Sequence, residues 1–551
     1  MPSPGCSPKK RQVATVAEPK KQTFLHGTML LVLSTAIVKI IGAFYSIPLN
    51  DIIGEKGFGY YSTAYEIYTV LLMISTAGLP VAMSRMISQA NSLGHYRNVR
   101  KIYTVSKTIF LTLGLIGTAL MVLGGKWLAS QLHQPDAWSA ICTLGPCCFL
   151  ICLMSTYRGF FQGQSNMAPT SVSQVLEAIC KLIVGIAGAV LVLYYTKSVS
   201  LAAGGAIFGV TMSCLMSSVY LNHCFRKAYK DMPVTDEPVS SGKDIAKGLL
   251  AIAIPITIGS AGLQLLTVLE TKVYMSRLLL TLTQENADVQ KGIYNFVQKI
   301  FNMPCAFITP ITISAIPAIT AQLTTKDLAA AKATEESAAR VTALISAPCA
   351  IGLAVLAEPV VALLGDYDAL WKQALGTKLM TVLGVCILFN ATVLMTTAIL
   401  QAHGHVNLPV VNMFIGGIVK LVAVFILSGN PNVGILGTPI GSLLCYVCIT
   451  MLNLFSLRRV LPQAPAIVRN MAKSVFAALL MGVAVLVVRW GLYQVLGAPT
   501  GRSLTAIILC GGPILIGVIV YVIAAIKLRA ITREDCLLLP KGEKIAKLLH
   551  L

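Results

Sequence analysis

Lysines, arginines and glutamates stand inside stretches of this chain that are otherwise apolar. The first is Lys39, in the middle of "STAIVKIIGAFYSIPL". Glu66, Arg85, Arg158, Glu177, Lys181, Glu270, Lys272, Lys299 and Lys420 follow in later apolar runs. A Lys or Arg at the centre of a membrane helix costs about 2.5–3.5 kcal/mol. A few uncompensated ones would rival the net stability of a domain. Such groups therefore face a wet cavity rather than lipid. Cations outnumber acids in the set, so the cavity should attract an anion. Arg85 and Arg158 lie near span ends, where snorkelling to the interface is the alternative. Glu177 and Lys181 are four residues apart and share a helix face, so Glu177 is expected to orient Lys181. Glu270 and Lys272 are two apart and do not share one. Tyr61, Tyr65 and Tyr68 follow helical spacing, as an interfacial aromatic belt or as a wall that touches a sugar or headgroup.

The elements that position these groups are apolar helices. The chain has 551 residues, of which 56% are hydrophobic and 12% charged, and its mean hydropathy is +0.76. A soluble chain would carry about 25% charged residues. Windows of about 20 apolar residues recur near 24–50, 58–89, 101–124, 137–162, 168–195, 201–224, 248–276, 292–322, 338–364, 376–401, 406–428, 433–456, 470–496 and 503–528. About fourteen spans put both termini on one side. The N-terminal tail, the connectors near 91–101, 225–247, 324–337 and 458–469, and the C-terminal tail hold roughly 25 Lys and Arg, against fewer than about 10 in the opposite loops. Both termini are expected in the cytoplasm, in a multi-pass protein of the cytoplasmic membrane. The net charge of +21 then reflects membrane topology, not nucleic-acid binding. The start of the chain is polar and Pro-rich, which reads as a disordered basic tail without a cleavable signal.

The chain repeats itself. "FQGQSNMAPTSVSQVLEAICKLIVGIAG" is followed later by "LQAHGHVNLPVVNMFIGGIVKLVAVFIL". Gln162 aligns with Gln401, Asn166 with Asn407, Pro169 with Pro409 and Lys181 with Lys420. Order is kept at a near-constant offset, as in transporters built from two related bundles around a central site. The expected organisation is a tail at 1–23, an N-lobe at 24–230, a linker at 231–247, a C-lobe at 248–460, two unpaired helices at 468–529 and a tail at 530–551. Other chemistry is thin. The 15 cysteines are scattered through apolar runs and read as reduced packing residues. "GEKGFG" at 54–59 lacks a Walker pattern and reads as a turn. His403 and His405 have no nearby ligand partners for a metal. There is no paired nucleophile and base and no ATP-binding domain. The chain is expected not to be an enzyme and to need no cofactor, with any coupling ion left open.

"KIIGAFYSIPLNDIIGEKGFGYYSTAYEIY", "AGLPVAMSRMIS" and "YRGFFQGQSNMAPTSVSQVLEAICKL" resemble the stage V sporulation protein B type of polysaccharide-biosynthesis transporter. That family lies in the MOP superfamily beside the MurJ flippases. The resemblance spans roughly residues 24–530. Its most specific stretch is Arg158, Gly159, Gln162, Gly163, Pro169, Gln174, Glu177 and Lys181. It implies an all-α integral membrane fold with two six-helix lobes, two C-terminal helices and a V-shaped central cavity. It also implies cavity cations from the first, second and eighth helices. Lys39 falls where the flippases carry a first-helix arginine, and Tyr45 where they carry a second. Arg85 and Lys299 are the carriers of the other cationic positions. The candidate substrate-binding set is thus Lys39, Tyr45, Tyr65, Glu66, Arg85, Arg158, Gln174, Glu177, Lys181, Lys272 and Lys299. The expected function is alternating-access flipping of an anionic lipid-linked oligosaccharide or a lipid II-like peptidoglycan precursor in wall or spore-cortex synthesis. The expected partners are that substrate and membrane lipid, with the protein a monomer. The alternative is a cation-coupled multidrug exporter, which would need acids to dominate the cavity.

Overall fold

The computed structural model describes residues 24–530, apart from 165, 234–236, 238, 366, 368, 462–463 and 500. The two tails expected at the ends of the chain lie outside the described residues, save for residue 530. Some helical positions, Lys39 among them, are described only in their backbone. Fifteen α-helices follow one another, and no strand occurs among the described residues. They are α1 (Phe24–Met73), α2 (Leu79–Ser92), α3 (Tyr96–Gln131), α4 (Trp138–Gly163), α5 (Ala168–Thr196), α6 (Val199–Lys230) and α7 (Gly242–Leu278). Then come α8 (Gln284–Thr324), α9 (Leu328–Val355), α10 (Ala357–Gly365), α11 (Leu370–Ala402), α12 (Asn407–Leu427), α13 (Gly437–Val460), α14 (Ile467–Leu496) and α15 (Leu504–Lys527).

Local chemistry sets the boundaries. α1 holds two apolar runs separated by a reversal at Gly54, whose φ of 66° and ψ of 177° suit a residue without Cβ. The "GEKGFG" stretch is therefore the turn between two helical arms. The second arm passes through a π-helical segment, Ile74–Gly78, into α2. There the Ser75 and Thr76 hydroxyls donate to the carbonyls of Leu71 and Leu72, four residues back. Such back-bonding loosens the helical ladder and favours a bend. Ser198, Ser241, Asp327 and Ser503 cap α6, α7, α9 and α15 by accepting from backbone N–H groups of the first turn.

Eleven segments among the described residues are long and apolar enough to cross a membrane. Leu123, Tyr195, Val495 and Leu504 are exposed on their outer faces, as lipid-facing residues are. The chain is a multi-pass membrane protein. The first arm of α1 is not among the eleven, nor are α7 and α8, which carry Glu270, Lys272, Lys291 and Lys299. The count of fourteen thus remains an expectation.

The helices pack in two groups. α1 to α6 pack on one another, with α5 against α6 and α4 against both α3 and α6. α8, α9, α11, α13 and α14 form the second group, with α12 on α13 and α15 on α14. The groups meet where the second arm of α1 lies along α8, and where α7, seated on α12, touches α1 and α2. One end of the bundle gathers the Gly54 turn, the α3–α4 loop, the α7–α8 loop and the α14–α15 loop. The other carries the α6–α7 linker and is called the linker end below.

Candidate functional site

The seam between the groups is where the buried charges converge. Lys181, on α5, directs its ammonium onto three tyrosine faces. The nitrogen is 4.5 Å from the ring centre of Tyr65, 5.1 Å from Tyr45 and 5.9 Å from Tyr61. It also donates to the Tyr65 hydroxyl at 3.2 Å. Each cation–π contact contributes about 0.5–2 kcal/mol, more as the site is desolvated. The rings support one another: Tyr45 and Tyr61 are 6.0 Å apart, Tyr61 and Tyr65 stack at 5.7 Å, and Tyr65 meets Tyr68 edge-on at 5.4 Å. Lys299, on α8 across the seam, brings a second ammonium to 5.7 Å from the Tyr65 ring. Tyr65 therefore stands between cations from both groups. Tyr60, Tyr61 and Tyr68 are buried, so the ladder is an interior wall and not an interfacial belt.

The acids of the seam are engaged elsewhere. Glu177 does not pair with Lys181. It takes Arg158 at 3.0 Å, and Arg158 also donates to Ser173 at 3.1 Å. The i,i+4 spacing places Glu177 and Lys181 on one face, but a guanidinium on α4 reaches that carboxylate through one nitrogen and Ser173 through another, leaving the lysine to the tyrosines. Glu270, on α7 and buried, takes Lys420 of α12 at 2.6 Å. Glu66 faces Lys291 at 3.6 Å. Among the described residues neither Lys181 nor Lys299 forms an ion pair.

Other expected residues lie apart from this centre. Lys272 is exposed and donates to Gln131 at 3.1 Å, at the Gly54 end. Its two-residue offset from Glu270 turns it off the seam-facing side. Arg85 is exposed on α2. Gln174 accepts from Ser34 at 3.2 Å, tying α5 to the first arm of α1. Lys39 lies in that arm, but its side chain is outside the described residues. His403 contacts Glu335 at 2.6 Å, joining α11 to α9. No group of three or more possible metal ligands occurs among the described residues.

A residue the sequence reading passed over is Lys291. It is fully buried and donates to Thr63 Oγ1 at 2.6 Å beside Glu66. Thr63 bonds Gln134, whose amide donates to Asp288 at 2.9 Å. The Tyr60 hydroxyl lies 3.1 Å from the carboxylates of both Asp136 and Asp288. This network joins the second arm of α1 and the α3–α4 loop to α8. Lys291 lies just outside the apolar window at 292–322. Its signal was the eight-residue spacing to Lys299, about two helical turns, which puts both on one face of α8. Around the network, Asp51 takes Arg502 through two oxygens at 2.5 and 2.8 Å, Glu55 takes Lys372 at 3.2 Å and Lys56 lies 3.7 Å from Glu285. The Gly54 end of the seam is thus closed by charge.

These observations define an all-α multi-pass membrane protein with a cationic, tyrosine-walled seam between two helical groups. The chain belongs to the family described as polysaccharide biosynthesis protein, whose pattern matches residues 24–323. It is 26% identical over 449 residues to the stage V sporulation protein B of Bacillus subtilis (strain 168), covering 80% of this chain and 85% of that one. It is 25% identical over 503 residues to the lipid II flippase MurJ of the same organism, covering 88% and 92%. The fold is shared with a solved structure of lipid II flippase MurJ in an inward closed conformation, at a TM-score of 0.66 and 12% identity, over 91% of this chain and 99% of that one. It is likewise shared with an inward-facing MATE multidrug transporter of the MOP superfamily, at 0.61 and 17%, over 77% and 98%. The fold is therefore of the MOP type.

Proposed function

We propose that this protein is a flippase that carries an anionic lipid-linked oligosaccharide or peptidoglycan precursor across the cytoplasmic membrane. The observation that carries the reading is the meeting of Lys181 and Lys299 at Tyr65 from opposite groups, with neither ammonium matched by a carboxylate. Two unmatched cations on a half-buried seam favour a phosphate-bearing head. The polar head would cross along the seam while the lipid tail stays in the bilayer. Similarity to the stage V sporulation protein B and to a lipid II flippase over most of the chain supports the same substrate class.

The linker end, rich in Arg and Lys, is read as cytoplasmic, with both termini there. An inside-negative potential then drives an anion outward by about 2.3 kcal/mol per charge per 100 mV. The protein works as a monomer and no covalent step is required of it. The two groups would rock about the seam, with the Gly54 end closed in the state seen here. Export of cationic drugs would need carboxylates free to receive them. Glu66, Glu177 and Glu270 each already face a Lys or Arg.

The test is flipping of a fluorescent undecaprenyl-diphosphate saccharide in proteoliposomes. Lys299→Ala and Lys39→Ala, at normal expression and Tm, are each expected to lower the rate at least tenfold. Rates within twofold of wild type for both variants would remove the anion-binding role.

A further inference from the structure

The three tyrosines around Lys181 form a cation cage, and the cage is already full. Aromatic faces on several sides are the arrangement by which proteins hold organic ammonium ions. Here the ion is tethered to the same chain: the Lys181 nitrogen contacts the faces of Tyr45, Tyr61 and Tyr65 and bonds one hydroxyl. Two of the cage walls are buried. Tyr45 and Tyr61 are 2% and 3% exposed, and the Tyr45 hydroxyl lies 3.5 Å from the Ala206 carbonyl.

We propose that Tyr45, Tyr61 and Tyr65 constitute a binding site for a primary alkylammonium, occupied in the native protein by Lys181. That one side chain sets the sign of ligand the seam accepts. With Lys181 in place, the tyrosine wall presents positive charge and, with Lys299, receives an anion. With Lys181 cut back to its Cβ, the same wall presents three negative ring faces to a small organic cation. Of the three cage rings, among the described residues, Lys299 approaches that of Tyr65, at 5.7 Å, so it does not fill the vacancy. The inference rests on the reading of the seam as a ligand site, but it concerns cation capture and is measured without any lipid substrate. A null result in the flipping assay therefore leaves it standing, and the reverse also holds.

The probe is n-propylammonium, which matches the atoms removed in Lys181→Ala. The purified full chain in detergent is titrated with propylammonium chloride, with n-propanol and sodium chloride as controls. The expected result is a saturable rise of several degrees in the Tm of K181A with propylammonium alone, and no response from wild type. The rise should vanish in the double variant K181A/Y65L. An equal rise with propanol, or none with propylammonium, overturns the proposal. Should K181A fail to fold, acylation of Lys181 in otherwise native protein gives the answer by mass spectrometry. Tyr65→Leu should raise its rate at least fivefold, and an unchanged rate would overturn the cage.

Discussion

Lys291 shows how much a single buried charge can demand of its surroundings. Its ammonium has no exposure, one short hydrogen bond to Thr63 and two carboxylates acting on it, Glu66 at 3.6 Å and Asp288 of the same helix. Breaking a buried pair by removing one partner costs about 3–5 kcal/mol, because the other charge is left uncompensated. Lys291→Met is therefore expected to destabilise the protein by about 3 kcal/mol, read as a lower Tm and lower denaturant midpoint in detergent. Adding Glu66→Gln should restore part of that loss, since one of the two carboxylates left without the ammonium is then neutral, while Asp288 keeps its bonds from Gln134, Gln284 and Tyr60. A double variant no more stable than K291M would show that the pair is not the source. At this scale the sequence exposes residue type and spacing but not choice of partner. Lys181 and Lys299 stood out because each interrupts an apolar run. That Glu177 would prefer Arg158 to Lys181 was not legible, because the choice depends on where α4 passes α5. Lys291 was hidden by its position at the edge of a window, among polar neighbours that resemble a loop.

The helices themselves were the most legible level. The windows at 137–162, 168–195 and 470–496 correspond to α4, α5 and α14 within a few residues, because long, predominantly apolar runs bounded by polar loops leave no competing structure. The Gly54 turn was equally plain. The π-helical step at Ile74–Gly78 was not, since its Ser and Thr look like ordinary small residues of a membrane helix. Nor was the close crossing of α1 and α8. At Gly292 an added Cβ would run into the backbone carbonyl of Glu55, and at Gly59 it would lie 3.1 Å from the Asp288 carbonyl oxygen. Backbone cannot yield as a side-chain tip can. Gly292→Ala is thus expected to pry the two helices apart at the Gly54 end. In a cysteine-free background, a cysteine at Thr63 should be alkylated at least tenfold faster in G292A than with Gly292. An equal rate would mean that the crossing tolerates the methyl and is not the point of closure.

For the whole molecule, the arrangement of charge implies a bias between states. The seam's Gly54 end is closed by Asp51 with Arg502, Glu55 with Lys372 and Lys56 with Glu285, besides the buried network. Arg502 stands in the loop between α14 and α15, helices with no counterpart in the internal repeat. Its guanidinium also donates to the Leu363 and Leu364 carbonyls, so this loop fastens α1 to the end of α10. Exposed ion pairs contribute about 0–1 kcal/mol each, while a two-oxygen guanidinium clasp lies toward the upper end. Losing about 1 kcal/mol from one state shifts a two-state equilibrium about fivefold. Arg502→Ala should therefore leave the fold intact and raise the population open at the Gly54 end about fivefold. Double electron–electron resonance between spin labels at the exposed Trp127 of α3 and Leu370 of α11 would read that population as a second, longer distance. Charge reversal in the pair Asp51→Arg with Arg502→Asp should return the distribution toward the native one, because the attraction is restored with the partners exchanged. If R502A leaves the distance distribution unchanged, the two added helices do not fasten this end, and closure belongs to the Glu55–Lys372 and Lys56–Glu285 pairs and the buried network around Lys291.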